Sequence, residues 1–494
     1  MARIKDVPTE KVTEKNFMEK KELRAFAIAA GGQGMVYAIM SSYISDFYTN
    51  ILLVPPVFVF ILMLASRVWD AINDPVMGMI ADKTQTKWGK MRPYIILTPI
   101  PIAILSVLLF FTPDISTTAK MVYAAITYVI WGMVYTISDV PFWSIVNLTT
   151  PNPIERGKVI SIGRTINGVG AALPQVFMIT IPVLVAIFLN DNGMSTNEYE
   201  WNQYRISYLI SAIIVSVLGM ALFARYFFYA KERVKPIFKE KVPFKDVIRA
   251  MKGNKPLILV VFMGVLSFTR YMIQAGAIHV ARYSFVNVSI SETLLVFGVA
   301  VAAGMFATMV LLPKTFKKYN YKQIVIFAGL LGFVVDIIMF LVGFKLLENP
   351  YVLYILVPFL ILSGIPLGVY NVVSFAMIAD SIDYMEYKSG KRLDGIASAF
   401  QTFINKLGNA FATSFIVLMY SIINLNPVEF VEGAVAITSS IQISMFSLVT
   451  IFPAIGLLLS VIPIFFYDLV GEKKKMITKT LYDRRKNAGD NLED

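Results

Sequence analysis

The chain has 494 residues, of which 56% are hydrophobic and only 16% charged, and its mean hydropathy is +0.65. That leaves too little polar surface to cover a water-soluble core of this size. Cysteine is absent, His279 stands alone, and no Gly-Lys-Ser/Thr phosphate loop occurs, which excludes disulfides, thiolate chemistry, multi-histidine metal centres and ATP hydrolysis of the P-loop type. The formal charge of +12 would suggest nucleic acid in a soluble protein, but its placement along this chain points to membrane topology.

Residues 1–24 form a charged, mostly polar tail without the isolated apolar stretch of a signal peptide. Twelve apolar segments follow, and in lipid helices are the only sensible assignment for them. The first six are expected at 25–50, 54–80, 94–113, 120–147, 158–189 and 206–230, making an N-terminal six-helix bundle over 25–230. A basic linker spans 231–255. The second six are expected at 256–282, 292–313, 323–345, 351–379, 396–424 and 440–469, a C-terminal bundle over 256–469, before a basic tail at 470–494. Most lysines and arginines fall in the tails and in the loops after even-numbered spans. The odd-numbered loops are assigned only Lys120, Arg205, Arg282 and Lys345. The positive-inside rule then puts both termini in the cytoplasm and the protein in the cell inner membrane. The basic linker reads as an orientation determinant in contact with anionic lipid rather than as a nucleic-acid surface.

Several charges remain inside the spans. In span 2, Asp70 and Asp74 are four residues apart, so their carboxylates share one helix face a turn apart. Like charges at depth repel and lose hydration, so this pair needs a compensating cation. Asn73 offers a further oxygen nearby and Thr136 of span 4 a hydroxyl. The set is a hard-oxygen site suited to sodium or lithium, or to a shared proton. The alternative is a structural network with arginines, for which Arg67 and Arg270 are available, and the acid Asp336 is equally open between an ion pair and a cavity. In span 4, Asp139 and Trp143 are again four apart, and Pro141 can bend the helix beside them. A carboxylate that accepts from paired hydroxyls, beside an indole that packs on a ring face, suits a sugar. Span 5 adds Arg164 among glycines, and span 11 places Thr402 and Lys406 on one face, which completes a polar floor for a central cavity. His279, near an outer helix end, reads as a structural histidine.

These motifs make the chain resemble the glycoside–pentoside–hexuronide:cation symporters, whose best-known member is the melibiose permease. The resemblance covers nearly the whole chain and is carried by residues 67–78, the loop 82–93, residues 139–143 and residues 379–395. It implies an all-α polytopic membrane protein of the major-facilitator fold, with twelve helices in two six-helix bundles around a cavity that opens alternately to each side. By resemblance, Asp70, Asn73, Asp74 and Thr136 match sodium-site positions, while Asp139, Trp143, Arg164, Thr402 and Lys406 match the sugar site. Asp82, Arg92, Asp380, Asp383 and Arg392 match a cytoplasmic gate whose bonds form when the inner side is closed. The sequence departs from the family where melibiose permease carries a Lys-Asp pair on its first helix: here stand Gln33 and Gly34, so the galactoside clamp is incomplete and melibiose is a doubtful substrate.

The expected function is symport of a small glycoside, pentoside or hexuronide with sodium, or with a proton or lithium, and no covalent step, cofactor, nucleic acid or obligatory protein partner. A cation-independent sugar uniporter or exchanger is the alternative. A lysolipid carrier on the same fold and a non-transporting scaffold stand further off, and an enzyme lacks the groups to build a reactive centre.

Overall fold

The computed structural model describes residues 17–150, 153–189, 193–233, 253–316, 318–389, 394–432 and 436–487. Helix α1, Lys20–Asp46, continues through a π-helical turn at Phe47–Ile51. Next come α2 (Pro56–Lys83), α3 (Arg92–Leu97), α4 (Pro99–Leu109), α5 (Thr117–Ser144), the short α6 (Val146–Thr149), α7 (Pro153–Phe188) and α8 (Thr196–Ala224). Beyond the linker, α9 (Lys255–Leu266), a 3-10 turn at Ser267–Tyr271, α10 (Met272–Ala275) and α11 (Ala277–Tyr283) form one interrupted rod. The chain closes with α12 (Ile290–Thr315), α13 (Tyr321–Leu346), α14 (Val352–Ser389), α15 (Asp394–Ile422), α16 (Pro427–Val431), α17 (Ser439–Ser447), α18 (Ile451–Phe465) and α19 (Gly471–Asn487).

Local chemistry sets these boundaries. Ser116, Ser195 and Ser289 each accept from an N–H in the first turn of α5, α8 and α12, and Asn320 makes a reciprocal capping box with Gln323 at the start of α13. Pro99 at the first turn of α4 separates it from α3, so the expected third span is two pieces. The seventh span is likewise broken at Ser267–Tyr271, where Arg270 donates to the Ser267 carbonyl and its ring neighbours Tyr271 and Tyr370 face the guanidinium. The sixth helix begins at Thr196, ten residues before the expected start, and α7 begins at Pro153. In consequence Arg205, expected before the sixth span, lies within α8, and Lys120, Arg282 and Lys345, counted as loop cations at the edges of their spans, also lie within helices.

Among the described residues nine helices are long and apolar enough to cross a membrane, and shorter apolar stretches lie at Pro56–Arg67, Pro99–Leu109 and Leu407–Ile422. Large apolar side chains such as Ile100, Phe188 and Val310 point outward from the bundle, the surface expected of a lipid-facing protein.

Helices before the linker pack mostly on one another, α1 against α7 and α8, α4 against α5 and α8, and α2 against α5. Those after it do the same, α12 against α14, and α13 against α14 and α18. The two sets meet where α1 touches α10, α11 and α15, where α2 lies on α15, and where α7 lies on α12. The apolar core has the same asymmetry. One cluster runs through the first set and on into residues such as Met272, Phe297, Leu353, Tyr420 and Phe446 of the second. A separate cluster, with Leu257, Val325, Met377, Ile382 and Leu481, fills the end of the second set near α19. The halves therefore share a core at the end away from the tails, called here the far end, and keep separate cores at the tail end.

Candidate functional site

Helices α2 and α5 meet in a regular polar ladder. Arg67 donates to the Tyr128 hydroxyl (3.1 Å) and to Asp70 (2.8 Å), Asp70 faces Gly132, and Thr136 donates to Asp74 (3.0 Å). Each rung is one helical turn from the next, which is why residues three or four apart on both helices supply them. Gly132 leaves room for the Asp70 carboxylate. A cavity of about 30 Å3 lies among Tyr37, Ser66, Arg67, Asp70, Tyr135 and Thr136, enough for a water or a small ion. Beside it the Asn73 side-chain nitrogen is buried with no hydrogen-bond partner. Of the proposed cation residues, Asp70, Asp74 and Thr136 lie along one ladder, and Arg67 supplies the arginine partner that the structural alternative required. Among the described residues no three His, Cys, Asp or Glu side chains cluster as a metal cage, so any ion here would rely on two carboxylates, a hydroxyl and an amide, a donor set of low charge.

One turn along α5 from Thr136 stands Asp139, which accepts from the Gln33 amide of α1 (3.1 Å). The Gln33 amide oxygen is buried without a partner. A turn further, the Arg164 guanidinium of α7 lies 3.8 Å from the centre of the Trp143 ring, and the Phe26 ring meets that indole edge-on. The charges of Arg164 and Asp139 act on each other across the same space. Three helices therefore converge on Asp139, Trp143 and Arg164, and Gln33 is a fourth member that the sequence reading treated only as a missing lysine. The structure also gives Gly34 a physical reason. A Cβ there would collide with the Asn167 carbonyl of α7, so the close contact of α1 with α7 excludes any side chain at that position.

Thr402 and Lys406 belong to α15, which packs against α2, but their side chains lie outside the described residues, as does that of Asp82. Arg392 is itself outside the described residues. Of the remaining gate candidates, Arg92 stacks on Phe227 and donates to its carbonyl (2.9 Å), while Asp380 pairs with Lys474 of α19 (2.6 Å). Asp383 lies one turn further along α14. The loop after α2 is organised instead by Glu232, whose carboxylate takes the N–H groups of Lys90, Met91 and Arg92. Gly89, with φ of +114°, lets this carboxylate approach; a Cβ would lie 2.7 Å from it. In the sequence Glu232 is simply one residue of the basic linker 231–255.

A larger constellation at the far end was not recognised from the sequence. Asp46, fully buried at the end of α1, accepts from Tyr208 (2.7 Å) and Asn50 (2.7 Å), and is paired with Arg282 (3.2 Å). Arg282 also meets Glu200 (3.1 Å). Asn50 bonds to the hydroxyls of Tyr420 (2.9 Å) and Tyr283 (2.6 Å), and His279 joins Tyr420 (2.7 Å) to Ser45 (3.3 Å). His279 is thus a satisfied buried histidine, as read from the sequence. Arg282 is not the loop cation it was taken for. The signal was present: Asp46 and Asn50 stand at the same i, i+4 spacing as Asp70 and Asp74, and His279, Arg282 and Tyr283 share a helix face.

A polar ladder on α2 and α5, continued by a carboxylate–indole–guanidinium group from α5 and α7, lies within the first set of helices, an arrangement suited to a membrane transporter. Residues 25–471 match the family described as MFS/sugar transport protein, and the chain belongs to that family. It is 28% identical over 478 residues to an uncharacterized symporter, YjmB, of Bacillus subtilis (strain 168), covering 96% of this chain and 97% of the relative. It is 30% identical to the isoprimeverose transporter of Lactiplantibacillus pentosus, over 80% of this chain and 79% of that one. In fold it is similar to a bacterial homologue of the human lysosomal transporter Spinster, with a TM-score of 0.61, 14% identity, and coverage of 93% of this chain and 97% of the other.

Proposed function

We propose that the protein is a cation-coupled symporter of a glycoside, pentoside or hexuronide, working by alternating access between two six-helix bundles at 25–230 and 256–469. The three shorter apolar stretches complete the twelve spans, and the distribution of lysine and arginine puts both termini in the cytoplasm of an inner-membrane protein. On that orientation the far end faces outward and is shut. Asp70, Asn73, Asp74 and Thr136 take the coupling ion, sodium before proton or lithium. Asp139, Trp143 and Arg164 take the sugar with Thr402 and Lys406, and Gln33 orients Asp139. Asp82, Arg92, Asp380, Asp383 and Arg392 form the inner gate. Both its described ion pair and its described arginine contact lie within one bundle, as expected of a gate that is parted.

The observation that carries this reading is the sharing of α5. Thr136, bonded to Asp74, and Asp139, the sugar acid, are three residues apart on one rigid helix. An ion that draws Asp74 and Thr136 together sets the position of Asp139 and Trp143, and by linkage the sugar favours the ion equally. The Arg67–Asp70 pair favours a second reading, in which the ladder is structural and the protein exchanges sugar without an ion. The two separate on purified protein: sodium should tighten binding of the matching sugar several-fold in the wild type and have no effect in Asp74→Asn. Equal sugar affinity with and without sodium, protons or lithium in the wild type would leave the exchanger.

A further inference from the structure

The far-end network crosses between the bundles, and its bonds are buried except that from Arg282 to the partly exposed Glu200. Ser45, Asp46 and Asn50 come from the end of α1 and its π-helical turn, Glu200 and Tyr208 from α8. His279, Arg282 and Tyr283 come from α11 and Tyr420 from α15. The π turn belongs to this arrangement: it carries Asn50 back to Asp46 while its oxygen reaches Tyr283. Apolar packing alone would close this end more cheaply than desolvated charges, because burying an ion pair loses hydration that the pair only partly recovers. A fully satisfied set of charges that spans two bodies, and that water can re-solvate when they part, suits a contact made and broken in each cycle. A cavity of about 510 Å3 adjoins it, lined by residues that include Thr49, Leu53, Thr117, Asn424, Asn426 and Tyr420, whose hydroxyl is a member of the network. A solute arriving from that side meets the network first.

We infer that Asp46, Arg282, His279 and Tyr420 are the outer gate of the transport cycle, a polar latch that holds the carrier closed to the outside and must open to admit solute. The inference rests on the alternating-access reading and on its orientation, and on neither the identity of the sugar nor that of the ion. It also accords with the inner-end ion pairs of the described residues, Glu22–Arg233 and Asp380–Lys474, each of which joins parts of one half of the chain.

The natural absence of cysteine makes the test direct. Ser41 lies on α1 one turn deeper than Ser45, whose side chain faces His279 of the other bundle, and Ser41→Cys is a small change. In right-side-out vesicles a membrane-impermeant maleimide should label this cysteine slowly. Adding Asp46→Asn should accelerate labelling from outside about tenfold or more, since a buried charge pair loses one partner in the closed state only. Tyr420→Phe, which removes a single hydroxyl, should accelerate it several-fold, and Glu19→Gln at the opposite end should leave it unchanged. If Asp46→Asn does not fold, Tyr420→Phe decides. Folded variants that label at the background rate, or faster only from the inner face, would overturn the latch. Labelling reads gate opening whatever is carried, so a failure of the symport reading and a failure of the latch would be told apart.

Discussion

The two ends of the molecule handle charge in opposite ways. At the far end Asp46 of one bundle is buried against Arg282, with the His279–Tyr420 pair alongside, all three from the other. At the tail end the described contacts stay at home: the ion pairs Glu22–Arg233 and Asp380–Lys474, and Glu232 accepting from backbone N–H groups of the loop before α3. The apolar core divides in the same way, shared at the far end and separate at the tail end. Charges that cross a boundary close it, and charges that stay within a body stiffen it. A carrier needs both, because each bundle must move as a unit while one boundary is sealed.

The comparison breaks most visibly at Arg282. Arg282→Ala leaves Asp46 buried without its cation, and should cost about 3–5 kcal/mol, read as a lowered Tm of the detergent-solubilised protein. In the double variant with Asp46→Asn the loss should be smaller than the sum of the singles, as expected of two groups in contact. A cost below about 1 kcal/mol would mean that the pair is not formed in the resting protein.

Gly34→Ala comes next. It drives a methyl into the α7 backbone and should cost about 1–3 kcal/mol by the same melt, within one bundle and away from both gates. Restoring the acid of the related permease as Gly34→Asp should therefore reduce folded yield rather than restore galactoside uptake. A well-folded Gly34→Asp that takes up galactosides would show that α1 and α7 are not in this contact.

A third effect, at the tail end, depends on pH. Burial pushes the Glu155 carboxyl up, but the Thr150 hydroxyl and the N–H groups of Phe17 and Met18 outweigh it and hold it below its ordinary value. A carboxyl lowered in the folded state stabilises the fold above its unfolded pKa, about 4.3, and loses that contribution as pH falls through the folded value. Glu155→Gln should thus lower stability by about 2 kcal/mol near pH 7, with the gap to wild type narrowing as pH falls below about 4. A gap that stays constant down to that range would assign the effect to packing. The smallest effect belongs to Glu19, fully exposed beside Lys231: its carboxyl is also lowered, by the hydrogen bond from Lys231 and by that charge, yet Glu19→Gln should leave Tm unchanged.

Much of this was legible in the sequence. Helical periodicity placed Asp70 with Asp74, and Asp139 with Trp143, on single faces, and the structure keeps both pairs on one side of their helices, facing neighbours that complete them. Periodicity names a face and not its neighbour, which is why Gln33 was not seen as the partner of Asp139, nor Gly34 as a packing surface. Arg282 was misplaced for a related reason. Hydropathy ends a span where charge appears, and a charge neutralised from another helix looks the same in sequence as one in water. The break at Pro99 fell inside an apolar run, and the polar stretch Ser267–Tyr271 was read only as a charge, Arg270, within a span, so single rods were expected there.

The central claim is that an ion gradient drives a sugar through this protein. Its most direct test is uptake by proteoliposomes of a labelled panel of xylosides, glucosides, galactosides and glucuronides, with and without an inward sodium gradient, in wild type and Asp74→Asn. The account predicts that one class accumulates above equilibrium only with the gradient, and that Asp74→Asn abolishes this accumulation. Equilibration of the same sugar at equal rates in both proteins, unaffected by sodium, lithium or proton gradients, would contradict it and make the α2–α5 ladder a structural brace.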